Sequence, residues 1–485
     1  MPYRILGFSC IPPLKVETIA PRPEKGGKTR VGGDRQVHDY HGAGDGRGVM
    51  ERAAGQEVFG KGHPAGLYYL FLTEMWERFS YYGMKALLVY YMTRHLLFDQ
   101  AHASQIYGLY TGFVYFTPFF GGIVADRLLG QRRTVILGAV LMSIGHFMMA
   151  VEHLFFPALL FLVLGNGAFK PNISTQVGGL YGKGDPRRDR AFSIFYLGIN
   201  LGAFFSPLVC GTLGEVYGWH YGFGAAGVGM IVGLVIYLAG QKHLPGDYLK
   251  RAEPRPVPDG SSSRDDRGKV LALLGLMVFT MFFWAVYEQQ GNTLALWAQD
   301  HTDRRILGWE MPASWFQAFN PAMIFFLTPV ITGLWRWQAG RGKEPSSTAK
   351  MAAGCIILGI SFLIMVPAAR ASLHQGQVSL WWLTTCVFIL TVGELFLSPV
   401  GLSLVTKLAP PRMASMLMGM WFLAMFAGNY LSGVLGMFWE KLPKETFFLM
   451  LSLIAFVAGC GMSAMLKPIK SGVGRGLGEK ADVER

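Results

Sequence analysis

Long apolar runs, each closed by a short cluster of charged residues, glycine or proline, follow one another from residue 66 to residue 467. A helix needs ~20 such residues to cross a hydrocarbon core of ~30 Å. Twelve runs are long enough: 66–97, 105–128, 132–152, 156–181, 191–213, 221–240, 269–297, 315–337, 349–370, 379–407, 413–440 and 446–467. The period-two alternation of a membrane barrel is absent, so the runs predict helices, which satisfy their own backbone groups inside lipid. An all-α membrane protein with twelve spans is expected.

The segments outside this pattern set the domain organisation. Residues 1–65 are rich in Gly, Arg and Pro and lack the apolar stretch of a secretory signal, which predicts a disordered extension. Met50 opens a more ordinary lead-in, MERAAGQEVFGKGHPAGLYYL, and offers an alternative start of translation. Residues 241–268, with AEPRPVPDGSSSRDDRG at 252–268, read as a flexible linker, and 468–485 as a tail. Six spans precede the linker (66–240) and six follow it (269–467). That split predicts two pseudo-related bundles with a substrate site between them at the midplane. Internal repetition is faint: ADRLLGQRRTV (125–135) has a loose echo in LWRWQAGRGKEPSSTAK (334–350).

Charge gives the orientation. The connections DRLLGQRR (126–133), GKGDPRRDR (182–190), 241–268 and RWQAGRGK (336–343) are basic, whereas those near 152–155 and 214–220 hold neither Lys nor Arg. Positive loops stay inside, so both termini are expected in the cytoplasm. The net charge of +13 is accounted for by these loops and the N-terminal extension and calls for no nucleic-acid partner. With 51% hydrophobic and 15% charged residues and a mean hydropathy of +0.32, the composition is that of an integral membrane protein. The five cysteines (Cys10, Cys210, Cys355, Cys386, Cys460) show no CxxC or Cys/His ligand spacing, so no metal site is expected and they read as packing residues.

Within this apolar frame, EMWERFSYYGMK (74–85) stands out. On a helix Glu74, Glu77, Arg78, Tyr81, Tyr82 and Lys85 are related by steps of three, four and seven and share one side. A charge at the centre of a spanning helix costs ~2.5–3.5 kcal/mol by insertion measurements, so the stripe must face protein or a watery cavity. A single buried pair such as Glu77 and Arg78 is explained equally by helix packing. Lys170 in span four, Glu288 in span seven and Glu394 in span ten extend the set to four helices. Packing alone is served more cheaply by small residues and Ser or Thr, which favours a transport path. Four carboxylates face three cations, so at least one carboxylate has reason to bind a proton reversibly, and moving its cationic partner away would trigger uptake. Prolines in FKPN (169–172), FNP (319–321) and LSP (397–399) are expected to break spans four, eight and ten just after Lys170, Asn320 and Ser398.

Together these motifs resemble the proton-coupled oligopeptide transporters of the major facilitator superfamily, from about Gly66 to Lys467. The resemblance rests on ExxERFSYYG (74–83), GGIVADRLLGQRRTV (121–135), FKPNIS (169–174), FYLGINLGAFFSP (195–207), YEQQGNTL (287–294), QAFNP (317–321), GELFLSPVGLS (393–403) and MGMWFLA (418–424). The first and fourth are specific to the family; ADRLLGQRR alone marks only the superfamily.

The resemblance implies a major facilitator fold that symports di- and tripeptides with protons by alternating access, in the cell (inner) membrane, as a monomer, with no cofactor and no enzymatic reaction. Arg78 and Lys170, with Lys85, would meet the peptide carboxylate, and Glu394, Asn200 and Asn320 the amino terminus. Tyr82, Tyr115, Tyr196 and Trp421 would line side-chain pockets, with Ser398 in the same site. Aromatic walls with few specific hydrogen bonds suit many side chains. Proton coupling would fall to Glu74, Glu77 and Arg78 with Lys170, and to Glu288 near Lys85 on the extracellular side.

Three features depart from the family pattern. The 241–268 linker is too short and polar for the two extra helices common in bacterial members, the helix-one gate position often held by Arg is Lys85, and Gly108 stands where animal members have a histidine. His146 in span three matches no motif and reads as a satisfied polar packing residue. The nearest rival function is symport of nitrate or another small anion, against which Glu394 argues by repulsion. A membrane hydrolase would need motifs such as H-E-x-x-H or G-x-S-x-G, which are absent.

Overall fold

The computed structural model describes residues 62–182, 184–247, 264–410 and 413–465. The N-terminal extension through residue 61, with Cys10 and the alternative start at Met50, the middle of the linker (248–263) and the tail at 468–485 lie outside the described residues.

Twelve long helices follow in order among the described residues. They are α1 (Ala65–Tyr90), α2 (Gln100–Leu129), α3 (Gln131–Met148), α4 (Phe155–Gly179), α5 (Arg187–Tyr217) and α6 (Trp219–Ala239) in the first half. The second half holds α7 (Arg264–Tyr287, resumed at Thr293–Asp300), α8 (Ala313–Ala339), α9 (Ser347–Gln375), α10 (Leu380–Leu408), α11 (Ala414–Gly436) and α12 (Lys444–Ala464). Ten of the described helices are long and apolar enough to cross a membrane by length and composition. The two that fall short do so for visible reasons: α1 carries the charged stripe, and α3 opens on Gln131-Arg132-Arg133 and contains His146. Local chemistry marks several starts: the Asp99 carboxylate accepts the His102 amide at 2.9 Å at the head of α2, and Gly130 and Gly218 supply the positive φ before α3 and α6.

Two separate hydrophobic cores make the two six-helix bundles. One is built from residues between Leu67 and Leu244, the other from residues between Leu273 and Met462, joined by Val89 and Tyr90 from the end of α1. Large apolar side chains such as Leu160, Phe326 and Val457 point outward, as a surface bathed in hydrocarbon requires.

The prolines do not break their helices. Pro171, Pro321 and Pro399 all lie inside continuous α4, α8 and α10. For Pro171 the reason is local: the carbonyl it leaves unpaired, that of Gly167, is covered by α2, where a Cβ on Gly121 would come within 2.0 Å of that oxygen. The real interruption is in α7, where Glu288–Gly291 tighten into a 3-10 turn and Asn292 leaves helical geometry altogether (φ −115°, ψ −95°).

The linker begins with ordered structure. Arg132 Nε donates to the Pro245 carbonyl at 2.7 Å, and its backbone N–H donates to Asp247 Oδ1 at 2.8 Å. His243 stacks on Tyr69 with ring centroids 5.4 Å apart, so the segment ties α6 back to α1 and α3.

Where the bundles meet, α2 and α11 approach backbone to backbone. A Cβ on Gly108 would lie 2.6 Å from the Gly433 Cα, so Gly108 is a close-contact glycine. The Gly108→Ala exchange is expected to destabilise by about 1–3 kcal/mol, because a backbone neighbour cannot swing aside and overpacking outweighs the better helix propensity of Ala. Thermal unfolding of the detergent-solubilised variant reads this directly. An unchanged midpoint would show that the helices slide apart at no cost.

Candidate functional site

The charged stripe of α1 is buried, with Glu74, Glu77 and Arg78 all at most 3% exposed. Arg78 Nε lies 3.1 Å from Glu74 Oε1 and also donates to Glu77 Oε2; Asn166 Nδ2 of α4 donates to the other Glu77 oxygen at 3.2 Å. One cation thus serves two carboxylates. Glu74 Oε2 and Arg78 Nη2 have no hydrogen-bond partner among the described residues, which leaves the cluster incompletely satisfied.

Two turns further along α1, Lys85 Nζ donates to Glu288 Oε2 at 2.8 Å. The Tyr107 hydroxyl donates to the same oxygen at 3.3 Å, and the Lys85 ammonium stands 5.8 Å from the Tyr107 ring. Gly291 in the α7 break makes room for that hydroxyl, since a Cβ there would sit 2.0 Å from it.

Lys170 behaves differently. Its ammonium lies 4.5 Å from the centre of the Tyr115 ring, and no carboxylate among the described residues comes within ion-pair distance of it. Across the bundle interface Glu394 is likewise without a cationic partner among the described residues; Asn320 Nδ2 donates to its Oε2 at 2.9 Å and to Thr391 Oγ1 at 3.0 Å. The Tyr287 hydroxyl reaches Asn320 Oδ1 at 3.5 Å and completes the positioning of that amide.

These side chains open into one cavity of about 310 Å³ between the bundles. Tyr82, Lys85, Tyr115, Lys170, Tyr196 and Asn200 line it from the first bundle, and Glu288, Asn320, Glu394, Ser398 and Trp421 from the second. Asn200 turns its amide back to the Tyr196 carbonyl at 3.0 Å. Glu74, Glu77 and Arg78 do not line the cavity; they lie behind its wall, with Arg78 held by its two carboxylates. Trp284, Tyr287, Gln290, Gln317 and Met425 also line it and were not singled out by sequence. For Tyr287, Gln290 and Gln317 a signal is present, because the first two flank Glu288 in YEQQGNTL (287–294) and the third opens QAFNP (317–321).

A second cavity, of about 410 Å³ between α7 and α12, is walled by Phe279, Leu449, Leu453 and other apolar residues and has no ionisable group. It is an apolar groove on the outer face and has no part in the charged chemistry. His146 is fully enclosed in α3, yet its Nδ1 has no partner among the described residues, so the expected satisfied packing role is not what the structure shows.

Twelve spanning helices in two bundles around a central charged chamber define a membrane transporter of the major facilitator fold. Sequence comparison resolves the class further. A model of the POT family matches residues 132–251 and 260–450. The peptide transporter YePEPT of Yersinia enterocolitica subsp. palearctica is 37% identical over 77% of this chain and 88% of its own. A di-/tripeptide transporter of Lactococcus lactis subsp. cremoris is 33% identical over 84% of this chain and 96% of its own. A crystal structure of the peptide transporter POT in complex with sulfate has a TM-score of 0.80 at 34% identity, covering 87% of this chain and 99% of that one. The chain belongs to the POT family, the proton-coupled oligopeptide transporters.

Proposed function

We propose that this protein is a symporter that imports di- and tripeptides together with protons across the inner (plasma) membrane by alternating access, with both termini in the cytoplasm. The observation that carries the reading is the pair of uncompensated opposite charges in one cavity, Lys170 on α4 and Glu394 on α10. A peptide at neutral pH is a zwitterion and supplies a counter-ion to each. Both charges are then compensated at once, in a site where they are only partly hydrated. An anion symporter has no use for Glu394, which would repel its substrate. The named relatives that transport peptides support the same choice.

Lys170, with Lys85, takes the peptide carboxylate. Glu394, Asn320 and Asn200 take the amino terminus, and Tyr82, Tyr115, Tyr196 and Trp421, with Ser398, wall the side-chain space. The Glu74–Glu77–Arg78 cluster holds one carboxylate more than it holds cations, with Lys170 close enough to feel all three charges. Proton binding to a glutamate of this cluster releases Arg78 toward the cavity, where its planar fork grips both carboxylate oxygens of the peptide. Lys85 and Glu288 join the bundles on the extracellular side and part when that side opens. Peptide and proton each favour the state in which the other binds, and reciprocity requires the coupling in both directions.

Proteoliposomes test this. Labelled dialanine is expected to accumulate under an inward proton gradient, to stop when a protonophore is added, and to be displaced by unlabelled dipeptides but not by nitrate. Uptake indifferent to the protonophore removes the coupling; competition by nitrate in place of dipeptides promotes the anion reading.

A further inference from the structure

We infer that Glu215 of α5 is the outer latch of the transport cycle: a carboxylate of the first bundle that caps the amino end of α8 in the second and holds the extracellular side closed. Its two oxygens are both used, Oε2 accepting the Ala313 amide at 2.9 Å and Oε1 the Ser314 amide at 2.8 Å. The first amides of a helix have no partner within the helix, and Pro312 before them offers no side-chain cap. The cap therefore comes from 98 residues away in sequence and from the opposite bundle.

The surroundings are built for the contact. Glu215 sits in a π-helical turn, Leu213–Tyr217, next to a second one at Pro207–Gly211; such widened turns displace side chains from their regular helical positions. Gly211 lets Ser314 seat directly on α5, since a Cβ there would come within 2.0 Å of the Ser314 hydroxyl. One residue further, Trp315 Nε1 donates to Thr212 Oγ1 at 2.9 Å. A carboxylate at a helix amino end also gains from the partial positive charge of that end.

The latch reaches the binding site through α8. Asn320, which holds Glu394, lies six residues beyond Ser314, or about 9 Å along the helix axis. Opening the outer side pulls Ala313 and Ser314 away from Glu215 and leaves two donors and a carboxylate to water. The carboxylate thus weights the equilibrium toward the outer-closed state by an amount separate from the Lys85–Glu288 pair. The inference rests on the transporter reading and on the outward placement of the α5–α6 connection at Gly218.

The test uses full-length protein in which Cys10 and the exposed Cys460 are replaced by Ser and spin labels are placed at His153→Cys, on the α3–α4 loop, and Leu307→Cys, on the α7–α8 loop. Wild type is expected to give one dominant short distance. In Glu215→Gln, which keeps the size but not the charge, the longer-distance population is expected to rise on the order of tenfold. Glu215→Asp, which keeps the charge but falls short of both amides, is expected to show a smaller rise and remains readable should the Gln variant not accumulate. Glu445→Gln, on α12 away from the bundle interface, is expected to match wild type. Wild-type distance distributions in the Gln and Asp variants overturn the latch, and so does an equal rise in the Glu445 control. Dialanine counterflow by wild type separates the two claims: its absence sinks the transport reading, while a shifted distance in Glu215→Gln still upholds the latch.

Discussion

The Glu77→Gln variant is expected to lose all accumulation of dialanine against its gradient while continuing to exchange dialanine across the membrane. For a symporter carrying one proton per peptide, each unit of pH difference supports an accumulation of about tenfold. In the variant that ratio is expected to fall to about one. The argument starts from burial: Glu77 has no exposed surface, and its two oxygens are held by Arg78 and Asn166. With Glu74 also pairing to Arg78, the cluster has a surplus carboxylate that must be compensated in every step of the cycle. A proton is one means of compensation and Lys170 is another, so taking up a proton and freeing a cation for the peptide are the same event. Gln keeps the shape and the hydrogen bond from Asn166 but neither binds nor releases a proton, so the two events separate. Counterflow at equal pH inside and out measures exchange, and uptake under an imposed gradient measures coupling. Equal loss of both would show that Glu77 holds α1 against α4 and nothing more.

The Glu394→Gln variant is expected to raise the half-saturating concentration of dialanine by about 30-fold or more, the cost of leaving a buried charge without its partner. N-acetyl dialanine, which lacks the ammonium, is expected to bind weakly to wild type and with the same affinity to the variant. The complementary exchange, Lys170→Ala, is expected to weaken dialanine similarly while leaving its C-terminal amide unaffected. These crossed comparisons separate recognition from folding, because a damaged cavity weakens every ligand alike. The geometry behind them is the hydrogen bond from Asn320, itself positioned by Tyr287, to Glu394, and the placement of Lys170 against the Tyr115 ring, so each charge has a position but no counter-ion among the described residues. If N-acetylation and Glu394→Gln prove additive, the amino terminus binds elsewhere in the cavity.

Much of the site was legible because intramembrane charge is costly. Glu74, Glu77, Arg78, Lys85, Lys170, Glu288 and Glu394 stand out against their apolar spans, and four of them, Lys85, Lys170, Glu288 and Glu394, meet in one cavity. Arg78 shows the boundary of that logic: its position on the stripe says that it faces inward, but whether it faces substrate or Glu74 and Glu77 depends on distances between neighbouring side chains. The prolines mislead for a similar reason. A missing amide donor is a local fact, whereas the cover that Gly121 gives to the Gly167 carbonyl comes from another helix. The break in α7 has the reverse character: QQGN (289–292) carries no proline, yet the helix is interrupted there, beside the close approach of Tyr107 to Gly291.

The sequence by itself determined the twelve spans and their division in two. In lipid every backbone group must be satisfied within its own segment, so hydropathy and length decide each helix before any neighbour is present. It also determined which side chains are too costly to face hydrocarbon. Only the tertiary structure decided which of those charges pair with one another and which are left for a guest, and it alone placed Gly108 on Gly433 and Glu215 on the head of α8. Such contacts join residues about 100 to 325 positions apart, and their energies depend on separations of a few tenths of an ångström, which no local pattern of polarity encodes.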